Sequence, residues 1–369
     1  MDRLLYECSL CAALSLMLFF GVYFMFAKRP DKHVFDNYIR SRKIMGAALL
    51  LLSANYLVHL FCSLRFTAPG AAILLNLSTY YLAAWLFSSA LTSLLDSRYL
   101  TRRRFILNMA GWFCFTVVAG AVLAFFPKGV IGIAGITVMT AWFLAYAFRL
   151  ATRLIRTYRN AVRLFDETQS DHIAAYVDWL SVFTWWAVIY GVGCGLFTFI
   201  PDKYVFIWVL SSIPFYIYLY CSYMNYMVFY EKVETALEDG LPEGMEQEED
   251  VGQEARPPYH ADIEKRLAEW IRKDGYTHPG LTIGELAATL CTNRTYLAGY
   301  IKSTYRSTFR EWIAGLRIGF AKRLMSEHPE MTIGAVSEAS GFLSMSYFSK
   351  VFTAREGVSP ARWRNSRLD

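Results

Sequence analysis

Charge is thin in this chain. Asp, Glu, Lys and Arg make up 18% of its 369 residues, against 55% hydrophobic and 17% aromatic, with a mean hydropathy of +0.28. That balance is foreign to a wholly soluble protein. The short motifs of the commonest enzyme classes are also missing. There is no GxxxxGK phosphate loop, no GxSxG nucleophile elbow and no HExxH metal pair, and the 6 histidines are scattered. The expectation is a protein that is not an enzyme and needs no cofactor or metal. Nor is there a disulfide framework. Of the 7 cysteines, Cys8 and Cys11 form a CxxC, but at i, i+3 in one helix a disulfide would be strained, so ordinary packing is expected.

What the chain has instead is apolar length upstream of residue 230. Runs at about residues 4–27, 44–64, 70–95, 105–126, 130–148, 179–200 and 204–229 each approach or exceed the ~20 residues that span a bilayer, and each is bounded by charge, Pro or Gly. A seven-helix transmembrane domain over residues 1–230 is predicted, with the lipid bilayer as its partner. Basic residues orient it. Segments after the first, third and fifth runs hold fifteen (Lys28, Arg29, Lys32, Arg40, Arg42 and Lys43; Arg98, Arg102, Arg103 and Arg104; Arg149, Arg153, Arg156, Arg159 and Arg163), and the opposite side only Arg3, Arg65, Lys128 and Lys203. By the positive-inside rule the N-terminus is outside and the C-terminus cytoplasmic, as in a bacterial inner membrane. The first run is too long, and its positive flank is on the wrong side, for a cleavable signal peptide.

The outer connections are a few residues each and leave no room for an external sensor domain. A signal, small molecule or membrane protein, would be read within the helices or at their outer mouth. Asn55 and His59 lie four apart on one face and Asn76 sits in the next helix. Polar groups at that depth are either a ligand or proton site or hydrogen-bonded glue between helices. Glu7, near the outer mouth, would engage a cationic ligand or simply reach the interface. Past the fifth run, Arg149, Arg153, Arg156, Arg159 and Arg163 share a helical sector opposite Ala151, Ile155, Tyr158 and Val162, a basic amphipathic extension suited to anionic headgroups. From Glu231 to Arg256 the balance reverses, with ten acidic residues against two basic and with Gly240, Pro242, Gly244, Pro257 and Pro258 as helix breakers. This acidic linker over 231–257 is either merely solvated or docks on the arginine stripe in one signalling state. As a coil of about 26 residues it would reach on the order of 28 Å.

Residues 258–369 are different in kind. Thr332 can cap a helix over 333–339, Gly341 tolerates positive φ at a turn, and Ser344 can cap a second helix whose Tyr347, Phe348, Val351 and Phe352 face inward. Gly341-Phe342, then Ser346 to Phe352 (SYFSKVF), then Gly357-Val358-Ser359-Pro360 and Arg364 resemble the second helix-turn-helix of the AraC/XylS family of bacterial transcription regulators. The family's first unit is also matched, by Thr282 before IGELAATL, a turn at 291–293 and a helix from Arg294 to about Tyr305, with a connector over 309–325. The resemblance covers roughly residues 258–366 and implies an AraC-type double helix-turn-helix domain with double-stranded DNA and RNA polymerase as partners; joined to the apolar runs upstream, the expected fold class is all-α, a seven-helix transmembrane bundle followed by that domain in the cytoplasm. Met345, where a polar base-reading side chain is common, and Gly299, which leaves a hole on the first recognition helix, depart from the family pattern.

Two such units on one connector would enter major grooves about one turn, roughly 34 Å, apart. Arg294, Lys302 and Lys350 are candidates for phosphate or guanine. Thr295, Ser303, Ser344, Met345, Ser346 and Ser349 are candidates for base edges, Met345 against a thymine methyl. Each could equally be part of a solvated helix face. The 16 Lys+Arg against 11 Asp+Glu over residues 257–369 give a mild positive balance. The expected function is a membrane-bound one-component transcriptional regulator; the alternative is a membrane receptor whose helix-turn-helix module docks a protein partner. Homodimerisation is compatible with either, though no coiled-coil seam of three heptads is present.

Overall fold

In the computed structural model, residues 2–28, 32–126, 129–197, 201–239 and 259–368 are described. They form two compact units, Met1–Asn160 with Tyr176–Glu231, and Ala161–Ala175 with Lys232–Asp369. Among the described residues every regular element is helical, apart from one isolated antiparallel bridge between Gln169 and Thr282.

The helices of the first unit are α1 (Asp2–Phe26), α2 (Asp36–Cys62), the short α3 (Leu64–Thr67), α4 (Pro69–Leu95), α5 (Arg102–Phe125), α6 (Val130–Thr168), α7 (Asp178–Phe197) and α8 (Asp202–Asp239); the last turns of α6 and α8 belong to the second unit. Six of them, α1, α2, α4, α5, α6 and α8, are long and apolar enough to cross a membrane. The sixth apolar run, at about 179–200, forms α7, a 20-residue helix outside that group of six. Faces that a water-soluble fold would hide are open: Phe113 is 65% exposed on α5 and Ile131 65% on α6, with Ile106, Val117, Ile133 and Val138 nearby in sequence also exposed. Exposed apolar side chains of this kind are compatible with membrane insertion.

Inside the unit, α2 packs on α1 and α4. Gly21 and Gly46 bring α1 and α2 together: a Cβ on Gly46 would stand 3.0 Å from the Gly21 carbonyl oxygen. Tyr38, Tyr223, Tyr226 and Tyr230 are fully buried where α2 meets α8, and the Tyr38 hydroxyl donates to the Tyr223 carbonyl at 2.8 Å. Arg42, also buried, donates to the Ala27 carbonyl at 2.8 Å. Beyond the last apolar run α8 continues to Asp239, just before the first predicted breaker, Gly240. EKVETALED is rich in good helix formers, so the loss of hydropathy does not end the helix. Residues 240–258, most of the predicted acidic linker, lie outside the described residues.

The second unit adds α9 (Tyr259–Arg272), α10 (Ile283–Thr289), α11 (Arg294–Tyr305), α12 (Phe309–Glu327), α13 (Ile333–Ala339), α14 (Met345–Glu356) and α15 (Pro360–Leu368). It has two apolar cores. Leu267, Ile283, Leu286, Leu297, Ile301 and the α12 residues Phe309, Trp312 and Ile313 build the first. Ile318, Ala321 and Met325 of α12 join Val336, Phe342, Phe348, Phe352 and Trp363 in the second. One helix thus supplies its N-terminal half to one core and its C-terminal half to the other.

Candidate nucleic-acid interface

Local chemistry sets the two helix pairs, α10 with α11 and α13 with α14. Thr282 caps α10 in a reciprocal box with Glu285, and Asn293 caps α11 by accepting from the Tyr296 N–H at 2.7 Å. In the second pair Thr332 caps α13 and Ser344 caps α14, accepting from the Ala335 and Tyr347 N–H groups at 3.1 and 3.4 Å. Between α13 and α14 the turn runs through Gly341, whose φ of +84° and close approach to the Thr277 carbonyl leave no room for a Cβ. The α14 stripe faces as its spacing predicts, with Phe348 and Phe352 buried and Tyr347 and Val351 half-buried.

The candidate contact residues fall mostly on open helix surface. Thr295, Lys302 and Ser303 on α11, and Met345, Ser346 and Lys350 on α14, are exposed; Arg294 and Ser349 are half-buried. Ser344 is exposed but its oxygen serves the cap, and the Ser303 hydroxyl donates to the Tyr300 carbonyl at 3.1 Å. The two pairs repeat one another in detail. Arg294 and Met345 each open their helix, and each rests over the glycine of the preceding helix: Arg294 Cδ is 3.4 Å from a Cβ built on Gly284, and Met345 Sδ 3.9 Å from one built on Gly334. Gly299 is exposed with open space around it.

The remaining candidates lie in the first unit or on α6. Asn76 Oδ1 takes a hydrogen bond from Asn55 Nδ2 at 3.2 Å and faces His59 Nε2 at 2.9 Å, so these three meet between α2 and α4. Glu7 is half-buried and pairs with Arg3 at 2.8 Å. Along α6 the arginines Arg149, Arg156, Arg159 and Arg163 are exposed, while Arg153 is half-buried and donates to the Tyr99 hydroxyl at 2.8 Å. Ala151, Ile155, Tyr158 and Val162, opposite the arginine sector, are half-buried, and Leu150, Leu154, Ala161 and Phe165 are buried.

A cluster that the sequence did not single out sits in the second unit, where Ala161–Ala175 lies on the helix-turn-helix elements. Arg317, completely buried in the middle of α12, directs Nη1 at Asp171 Oδ1 (3.3 Å) and donates to the Tyr276 and His278 carbonyls at 2.8 Å each. Its Nη2 also reaches Ser170 Oγ at 3.3 Å. The other Asp171 oxygen accepts from the Gly280 N–H at 3.0 Å, and the Ser170 N–H donates to the Leu281 carbonyl at 3.0 Å. Arg310 faces Asp166 at 3.1 Å. The His172 ring stacks on Tyr347 of α14, 5.1 Å between centroids and 6° from parallel. Burial pushes the Asp171 carboxyl up from its ordinary range, against the pull of Arg317 and of the Gly280 N–H. Burial likewise raises the Tyr347 hydroxyl. One signal for this cluster was available: Ile313, Arg317 and Ala321 share a helix face, and a lone arginine on an apolar face requires a counterion.

Comparison with known proteins adds to this geometry. The family described as Helix-turn-helix domain matches residues 286–366. The uncharacterized HTH-type transcriptional regulator YobQ of Bacillus subtilis (strain 168) is 36% identical over 86 residues, 23% of this chain and 35% of that protein. The chain therefore spans about a third of that relative's length. No solved structure matches the chain significantly. Residues 286–366 thus form a helix-turn-helix domain.

Proposed function

We propose that the chain is a membrane-bound one-component transcriptional regulator of the AraC/XylS type. Its helix-turn-helix pairs bind promoter DNA in successive major grooves, and a signal sensed by the apolar helices of the first unit controls that binding. Arg294, Lys302 and Lys350 neutralise phosphates or reach guanine, and Thr295, Ser303, Ser344, Met345, Ser346 and Ser349 lie toward base edges. All seven apolar helices span the bilayer, and the basic segments, including the Arg149 to Arg163 stripe, keep the C-terminal unit on the cytoplasmic side with the chromosome.

The observation that carries the coupling is the membership of Ala161–Ala175 in the helix-turn-helix unit. This segment holds the last turns of α6 and precedes α7, and it is pinned to Arg317 on the helix that serves both cores. A repacking of α6 and α7 therefore acts on α12, and α12 sets the spacing of the two recognition helices. The relative's name, an HTH-type transcriptional regulator, supports the same direction.

The test is duplex binding by the full chain in lipid nanodiscs. Log affinity should fall steeply with log salt, and Lys350→Ala should weaken all sequences alike while reducing the slope by about one. Affinity for no duplex at low salt would instead favour the protein-docking alternative, for which exposed Leu343 and Met345 are the available apolar surface.

A further inference from the structure

The first unit holds a cavity of about 110 Å³ among α2, α4, α6, α7 and α8, walled by apolar groups such as Leu52, Phe87, Leu91, Phe143, Leu154 and Phe215. A second cavity of about 30 Å³ adjoins it, and the two share Tyr56, Tyr80 and Trp208 as lining residues. The smaller one has Asn55, His59, Arg65 and Asn76 on its wall beside apolar groups such as Leu10 and Val209. Asn55 and His59 are 2% and 5% exposed, and their bonds to Asn76 leave Asn55 Oδ1 and His59 Nδ1 buried without a partner. Packing glue accounts for the bonds to Asn76 but not for the two unpartnered atoms, whose burial without a partner is unfavourable.

We propose that these joined cavities bind a small uncharged aromatic molecule carrying one hydrogen-bond donor, of the phenol or indole class. The ring lies among the aromatic walls, and the O–H or N–H reaches Asn55 Oδ1 or His59 Nδ1. Size supports one small ring system and nothing larger, because an apolar cavity of about 150 Å³ holds benzene and the two cavities together are of that order. The donor follows from the pairing at Asn76: with its Oδ1 accepting from Asn55 and from His59 Nε2, the atoms left over are both acceptors. Arg65 on the same wall excludes an ammonium head. A carboxylate would meet Arg65 but bring no donor to the two acceptors. The inference rests on the first unit being the sensor, and it names the class of signal.

The test is direct binding to the full chain in nanodiscs without DNA, read by tryptophan fluorescence and calorimetry, so that it stands apart from any failure of duplex binding. The probes are phenol, indole, benzene, anisole and benzoate. Phenol and indole should bind saturably, at least tenfold tighter than benzene, anisole or benzoate. Asn55→Val should remove the preference for phenol over anisole while keeping ring binding, and Ala84→Phe, which fills the larger cavity, should abolish binding of every probe. Absence of saturable phenol and indole binding, anisole or benzoate binding as tightly as phenol, or full binding to a folded Ala84→Phe protein would each overturn the proposal.

Discussion

Arg317 and Asp171 lie 146 positions apart in the chain, yet their side chains meet at 3.3 Å with the guanidinium wholly buried and the carboxylate nearly so. A buried pair of this kind is costly to desolvate, and breaking it is costlier still because one charge is left uncompensated. Asp171→Ala or Arg317→Met alone should destabilise the C-terminal unit by about 3–5 kcal/mol. The double variant Asp171→Leu with Arg317→Met should lose distinctly less than the two singles combined. Hydrogen exchange of the α12 amides in the full chain measures this, and additive losses would show that the two side chains do not act as a pair.

The repeat between the helix pairs yields a second test. Gly299 and Lys350 are each the sixth residue of their helix, α11 and α14, and both are exposed. Gly299→Ala should raise stability by about 0.5–1 kcal/mol, since a Cβ there meets nothing and mid-helix glycine is unfavourable. Gly299→Lys should in addition steepen the salt dependence of duplex binding by about one unit of slope. An unchanged slope would place this face of α11 away from the phosphates.

Gly341 supplies a third. Its backbone is left-handed, and an added Cβ would press on the Thr277 main-chain carbonyl, which cannot rotate aside. Gly341→Ala should therefore destabilise the second core by more than about 2 kcal/mol, combining positive-φ strain with a steric clash. Loss of exchange protection should be greatest at Phe342, Phe348 and Phe352, which pack together there.

What could be read in advance was local. Thr332 and Ser344 act within a few residues of themselves, and α11 spans the residues that the family resemblance gave it, Arg294–Tyr305. The long apolar helices were visible for the same reason, since length and composition are properties of a segment alone. Asp171 was not visible. It sits in DETQSDH, a polar run that reads as a solvated loop, and only the folded chain sets it opposite Arg317. Which residues of α6 are buried was not read in advance, because Leu150 and Leu154 differ little in polarity from Ala151 and Ile155. Contacts rather than periodicity choose between such neighbours.

The start of α12 gives a prediction in pH. The Thr308 N–H donates to Glu311 Oε2 at 3.0 Å, and the Glu311 N–H returns to Thr308 Oγ1 at 3.3 Å. The Thr308 backbone bond holds the Glu311 carboxyl below its ordinary value of 4.5, opposed by partial burial and helped by the Thr308 hydroxyl, Arg310 and Arg355. The folded value lies under the unfolded one, so this group stabilises the fold above about pH 4.5, and its contribution is lost as pH falls through the folded value. Glu311→Gln should lower the melting temperature at pH 7, and the gap to the parent should be constant down to about pH 5 and narrow below it. A gap that stays the same from pH 7 to pH 3 would mean that the box acts through its hydrogen bonds alone, with no dependence on the ionised carboxylate.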